Sequence, residues 1–187
     1  MTDIFKDFFY IENTPILRGV LPFEILKELD FFITRCREIK NHPLAELRRH
    51  RNVGKNSYQV SIPTNLLMDS FFLAYLIRMG EYYISVTDLK SRLVRINNVQ
   101  NHYDGYDVWV NFSYRGDVNP SHTHTGSLSG VIYYENDGQE TYFTSGYSFV
   151  GKRGDILMFP SNYGHGVKEK VTNNERITLS FNLNVLK

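Results

Sequence analysis

The stretch from Arg176 to Val185 constrains the fold more than any other part of the chain. Arg176, Thr178, Ser180, Asn182 and Asn184 alternate without a break with Ile177, Leu179, Phe181, Leu183 and Val185. Successive side chains of a β-strand point to opposite faces, so alternation of this length specifies a strand with one polar and one apolar face. A helix would scatter both sets around its axis. Two placements fit. In an arbitrary antiparallel sheet the expected one sends the apolar face into a sandwich core and the polar face to solvent. In the other, the apolar face lies beneath a helical layer and the polar face lines the mouth of a barrel, with Arg176 pointing at whatever binds there.

A strand of this kind needs partners, and the sequence beyond about residue 90 supplies them. β-Branched and aromatic residues alternate with polar ones over 92–99, 106–114, 128–134, 140–144, 147–150 and 155–159. Between them stand Asp104-Gly105, Arg115-Gly116-Asp117, Asn136-Asp137-Gly138 and Arg153-Gly154-Asp155, residues that tolerate positive φ in tight turns. The first half reads differently. Residues 4–20 suggest a strand or loop wrapping the domain. Pro22 suits the first position of a helix, where its missing N–H costs nothing. From there Leu26, Leu29, Ile33 and Cys36 form an apolar stripe that Asn41-His42-Pro43 ends. A second helical pattern follows Pro63-Thr64 and sets Phe72, Leu76, Tyr83 and Val86 on one face, with Gly80 a weak point.

The expected fold is therefore mostly β with N-terminal helices: a double-stranded β-helix, the jelly-roll or cupin-like barrel, with helices on the outer face of one sheet. At 187 residues one domain is expected, with 1–89 mainly helical support and 90–187 the jelly-roll core.

Charge and cysteine content narrow the function classes. Basic and acidic residues number 21 and 20, so no global field draws the chain to nucleic acid or an anionic membrane. One local exception is the basic cluster Arg48, Arg49, Arg51 and Lys55, read as a solvated helix end or as a selector of an acidic or nucleic-acid substrate. Cys36 is the only cysteine, which excludes an internal disulfide and a thiolate metal cage. The N-terminus lacks the basic and apolar regions of a signal peptide, and no apolar run is long enough to span a bilayer. A soluble, cytoplasmic protein with no membrane partner is the expectation.

The chemistry concentrates in histidines. His122 and His124 stand two apart in Ser121-His122-Thr123-His124-Thr125-Gly126, at the mouth of the strand 128–134. In a strand, residues at i and i+2 point to one face about 6 to 7 Å apart, a spacing that suits one metal ion. His165 follows another apolar strand, in Pro160-Ser161-Asn162-Tyr163-Gly164-His165-Gly166-Val167. Imidazole is a common ligand for zinc, iron, copper and nickel, and three protein ligands leave positions open for water or substrate. His42, His50 and His102 sit among charged or turn residues and read as surface groups. Trp109 and the tyrosines at 58, 103, 106, 114, 133, 134, 142 and 147 read as core and rim packing. Asn111, opposite in parity to Val108, Val110 and Phe112, faces either the cavity of Arg176 or solvent.

This pattern resembles the non-haem Fe(II)- and 2-oxoglutarate-dependent oxygenases. Their signature is a His-x-Asp/Glu pair near the start of a barrel strand, a distal His, and an Arg or Lys about ten positions further on. His122-Thr123-His124 takes the place of the pair. His165 takes that of the distal ligand, led in by Gly154-Asp155-Ile156-Leu157-Met158-Phe159-Pro160. Arg176 takes that of the cation. Trp109-Val110-Asn111 and Ser129-Gly130-Val131-Ile132-Tyr133-Tyr134 are further similar to a small branch of these enzymes in bacteria and phages. The resemblance covers residues 90–187; residues 1–89 match only the habit of helices before the barrel.

The resemblance implies a dioxygenase that hydroxylates its substrate and releases succinate and CO2. It implies His122, His124 and His165 as ligands of Fe(II), with O2 and 2-oxoglutarate as co-substrates. Arg176 would pair with the far carboxylate of 2-oxoglutarate, assisted by Thr178, Ser180, Asn111 or Tyr133. The primary substrate, whether protein, nucleic acid or small molecule, and the oligomeric state are left open. His124 departs from the family, where a carboxylate is usual. Three neutral ligands leave the full metal charge for bound anions. They are also similar to the sites of thiol dioxygenases, some cupins and carbonic-anhydrase-type zinc enzymes. Asp104, Asp107, Asp117 and Asp137 are candidates for a recruited carboxylate, though none has the family spacing. The competing class is a cupin-like metal-binding or non-catalytic binding module.

Overall fold

The structure, a computed structural model, describes residues 5–11, 13–41, 57–87, 93–96 and 108–186. The elements in order are β1 (Phe5–Ile11), β2 (Thr14–Val20), α1 (Phe23–Asn41), β3 (Tyr58–Ser61), α2 (Thr64–Leu67), α3 (Phe71–Val86), β4 (Leu93–Ile96) and β5 (Val108–Ser113). There follow β6 (Asn119–His122), β7 (Leu128–Glu135), β8 (Thr141–Phe143), β9 (Ser148–Phe149), β10 (Asp155–Pro160), β11 (His165–Val167) and β12 (Arg176–Leu186). The major sheet runs β1-β2-β10-β7-β12-β5-β3, with β4 also paired to β12; the minor sheet runs β6-β11-β8-β9. Every pairing is antiparallel. This is the jelly-roll arrangement the sequence calls for, with the helices on the outer face of the major sheet.

β12 sits centrally between β7 and β5, and its two faces meet different neighbours. Ile177, Leu179, Phe181 and Leu183 are fully buried in one apolar cluster with Leu29, Phe32, Ile33 and Cys36 of α1 and Phe72, Leu76, Met79 and Tyr83 of α3. The polar face is turned towards the minor sheet. The second placement of this strand is thus the observed one, because the helical layer offers its apolar residues the drier surface. A smaller cluster of Ile16, Val131, Tyr133, Leu157 and Phe159 with Phe143 and Phe149 closes one end of the space between the sheets.

The helices follow the sequence with three corrections. α1 begins one residue after Pro22, whose carbonyl accepts the Leu26 N–H at 3.0 Å. The second helical pattern breaks at Ser70. Its hydroxyl donates to the Leu67 carbonyl at 2.7 Å and accepts the Leu73 N–H at 3.0 Å, so it closes α2 and caps α3. Glu28 of α1 strengthens the cap by accepting the N–H groups of Phe71 and Phe72 at 3.2 and 2.6 Å, where a carboxylate suits the helix N-terminus. Val86, expected on the buried face, is 36% exposed in the last turn of α3.

Residues 1–89 supply strands as well as helices. β1 and β2 form a hairpin on one edge of the major sheet, turned at Asn13 with φ 66°, a conformation asparagine tolerates. β3 forms the other edge beside β5. Glu175, just before β12, is held by Arg37 at 2.7 Å and Lys40 at 3.1 Å, which ties the start of that strand, and with it Arg176, to α1. The basic cluster at 48–55 and His42, His50, His102, Asp104 and Asp107 lie outside the described residues. Among the described residues no helix is long and apolar enough to cross a membrane.

Candidate metal centre and cleft

His122 and His165 face each other across the minor sheet. His122 ends β6, His165 opens β11, and the two are register partners in the antiparallel ladder. The expectation that the His-x-His pair opens the strand 128–134 is corrected: His122 belongs to its own short strand, and His124 lies in the loop beyond it. That loop is pinned by the His124 N–H donating to the Ser161 carbonyl at 2.9 Å and the Ser161 N–H to the Ser127 carbonyl at 3.1 Å. Beneath it, the Ser129 hydroxyl bonds Asn182 Oδ1 at 2.6 Å and Ser161 Oγ at 2.9 Å, so the inward polar face of β12 supports the loop. Gly126, with φ 119°, turns the chain into β7.

The ligand nitrogens of His122, His124 and His165 lie within 4.8 Å of one another. The ring centroids are 4.8, 4.6 and 5.2 Å apart, so small side-chain rotations bring all three onto one ion. Two tautomers are dictated by the backbone. His122 Nδ1 lies 2.8 Å from the Pro120 carbonyl, and His165 Nδ1 lies 3.0 Å from that of Tyr163. A carbonyl only accepts, so each Nδ1 carries the proton and each Nε2 keeps its lone pair for a metal. Burial holds His165 down at about 4. Burial, aided by the neighbouring His165 and His122, holds His124 down at about 3. Both are neutral at pH 7, the state a ligand requires. Among the described residues no carboxylate joins the group. Asp117 is buried and accepts the Tyr114 N–H at 2.7 Å, and Asp137 is paired with the fully buried Lys170 at 2.8 Å.

A cleft between the sheets opens from the histidines and encloses about 710 Å³, open solvent at its mouth included. Thr178, Ser180, Asn111 and Arg176 line it, so Asn111 faces the cavity rather than solvent. Arg176 is 4% exposed. Its Nε donates to Asn136 Oδ1 at 3.2 Å and its Nη2 to Thr141 Oγ1 at 3.4 Å, while its guanidinium stands 5.7 Å from the centre of the Tyr133 ring. Burial pushes its pKa down, opposed by Tyr133 and Asp137. Among the described residues no carboxylate lies within ion-pair distance of it. Tyr133 is fully buried behind this group and donates its hydroxyl to Thr141 Oγ1 at 2.7 Å. Thr141 accepts from both neighbours, which leaves its own hydrogen to point elsewhere.

Thr141 and the wall residue Gln59 were not singled out from the sequence, Asn136 was read only as a turn residue, and Trp109, read as core and rim packing, lines the cleft. Trp109 had a signal: it shares the parity of Asn111 on β5, so the two face the same way. Thr141 and Gln59 had none, because β8 and β3 are too short for alternation to register.

No protein-family model and no curated protein matches this sequence. Solved structures do. An oxidoreductase of the 2OG-Fe(II) oxygenase family from Burkholderia pseudomallei superposes with a TM-score of 0.59 at 14% identity, covering 89% of this chain and 84% of that one. A prolyl-4-hydroxylase from Pseudomonas putida gives 0.57 at 13% identity and covers 92% of both chains. This chain has the 2OG-Fe(II) oxygenase fold. HygX from Streptomyces hygroscopicus, solved with nickel, 2-oxoglutarate and hygromycin B, shares that fold too, at a TM-score of 0.58 and 12% identity over 93% of this chain and 84% of its own.

Proposed function

We propose that the chain is a single-domain Fe(II)- and 2-oxoglutarate-dependent dioxygenase. The observation that carries the reading is one cleft with three imidazoles at one end and, on its wall, a buried arginine that has no carboxylate partner among the described residues. A buried charge costs several kcal/mol, on the order of 3 to 5, when nothing compensates it. An anion that enters the cleft relieves this cost. The donor set fits the group: three nitrogen ligands leave open positions and a +2 charge, which complements a dianionic chelator. HygX, of the same fold, has been solved with nickel and 2-oxoglutarate bound and with iron bound.

In this reading His122 and His165 bind through Nε2, their rings aimed by the Pro120 and Tyr163 carbonyls, and His124 completes the face. Arg176 grips the far carboxylate of 2-oxoglutarate. Thr141 donates its hydroxyl to the same carboxylate, oriented by Tyr133 from behind, so Tyr133 acts through Thr141. Thr178, Ser180 and Asn111 form the polar wall between carboxylate and metal. Phe159, whose ring lies 4.7 Å from that of His165, and Val131 keep this end of the cleft dry. When bound, iron with O2 supplies the oxidation, in which 2-oxoglutarate is converted to succinate and CO2 and one oxygen atom enters a substrate C–H bond.

Anaerobic titration with Fe(II) and 2-oxoglutarate tests this. The wild type is expected to show a visible charge-transfer band that is lost in His165→Ala. No band in the wild type, or an unchanged band in the variant, overturns the proposal. One observation favours a second reading: with histidine at 124 and no carboxylate beside it among the described residues, the set also suits a three-histidine enzyme that does not use 2-oxoglutarate. Metal analysis of untagged protein separates the two. Zinc without 2-oxoglutarate-dependent succinate release supports the second.

A further inference from the structure

The three histidines are not held in the same way. His122 and His165 are each locked by an Nδ1–H bond to a backbone carbonyl two residues upstream. The ring of His124 makes no such bond among the described residues. It is instead held by ring contacts, stacked on His165 with planes 27° apart and met by the indole of Trp109, centroids 5.6 Å apart. Aromatic pairs at this separation are worth about 0.5 to 1.5 kcal/mol beyond their burial. The indole is itself anchored. Its Nε1–H donates to Asn111 Oδ1 at 3.1 Å, and Asn111 Nδ2 donates to Ser180 Oγ at 2.9 Å and Thr178 Oγ1 at 3.3 Å. A chain of contacts thus runs from the wall of β12 through Asn111 and Trp109 to the one histidine of the three whose ring makes no hydrogen bond among the described residues.

We infer that Trp109, fixed by Asn111, is the positioning residue for His124, and that its indole does for the third ligand what a backbone carbonyl does for the other two. The inference rests on the metal-site reading above. Groups that orient metal ligands from behind are worth about 10- to 100-fold in metal affinity. Trp109 takes this role because His124 sits in a loop beyond the end of β6, where no ladder partner fixes its ring. β5 runs alongside on the opposite sheet, and Trp109 and Asn111 both project into the cleft from it.

The test is titration of the metal-free protein with Co(II), read both as a dissociation constant and as the visible ligand-field spectrum. Trp109→Ala is expected to bind Co(II) at least about 10-fold more weakly, with the spectrum of His124→Ala, a site that has lost one nitrogen. Trp109→Phe, which keeps a ring against His124, is expected to restore affinity and spectrum. Asn111→Ala, which keeps the indole but frees it, is expected to weaken binding in the same direction by less, and it gives the answer if Trp109→Ala does not fold. A merely structural role would lower the thermal midpoint of Trp109→Ala without changing the spectrum of the folded fraction, and that result overturns the inference. So does wild-type affinity in both Trp109→Ala and Asn111→Ala. If the wild type takes up no Co(II), the metal site itself falls, which is a different failure from wild-type binding that ignores Trp109.

Discussion

On β12, Ile177, Leu179, Phe181 and Leu183 are sealed under α1 and α3, while Arg176, Thr178, Ser180 and Asn182, each one residue away, turn to the minor sheet. Both sets are largely shielded from solvent, yet they live in different media. The outward set is surrounded by aliphatic and aromatic side chains. The inward set meets hydroxyls, amides and three imidazoles, and its arginine has no carboxylate within ion-pair distance among the described residues. The same contrast runs through β5, where Val108, Val110 and Phe112 join the apolar cluster and Trp109 and Asn111 line the cleft. Placing cohesion on one face leaves the other free to carry groups that would be costly in a core.

Four experiments break or sharpen this contrast. The largest effect is expected from Leu179→Ala on the outer face, a loss of about 2 to 5 kcal/mol by urea unfolding. Metal binding by the folded protein should persist, and a lost metal site at preserved stability would erase the distinction. On the inner face, Arg176→Met is expected to do the reverse. Stability of the metal-free protein should hold or rise, because a buried unpaired charge is removed, while 2-oxoglutarate affinity drops about 10- to 100-fold in calorimetry. Metal affinity should stay as it was.

A pH series gives a smaller difference. His124 and His165 are held at about 3 and about 4, below the usual 6.5 of an unfolded chain. Between these values the unfolded state binds more protons, so the stability of the metal-free protein rises with pH there and falls on acidification from about 6.5 towards 4. Above 6.5 both states are neutral and the dependence vanishes. His165→Ala should flatten the slope measured by urea midpoints, whereas Leu179→Ala should shift the whole curve without changing its shape. The smallest effect is a labelling order. Cys36, fully buried with its thiol pushed up to about 12 by burial, should resist a disulfide reagent at pH 8 until the protein unfolds. The cleft histidines should react with an acylating reagent first.

What the sequence revealed follows from element length. β12 and α1 are long enough for their periods to show, and they carry the architecture. β6 and β11 have four and three residues, too few for alternation to register, and they hold His122 and His165. The histidines were therefore found by residue type and resemblance, not by placing their strands. The cross-strand pairing of His122 with His165 was invisible in one dimension. The break at Ser70 depends on Glu28 reaching over from α1, a tertiary contact that no local pattern encodes. Arg176 was legible because it opens an alternating strand, but Thr141, whose hydroxyl accepts from it, sits in a three-residue strand after a turn.

The chain has a single tryptophan, and it is the one against His124. Its emission is therefore free of any background from indoles elsewhere, and an open-shell ion bound by the three imidazoles would lie within quenching range of it. Quenching of that emission on addition of Co(II) would report filling of the proposed site without any added label.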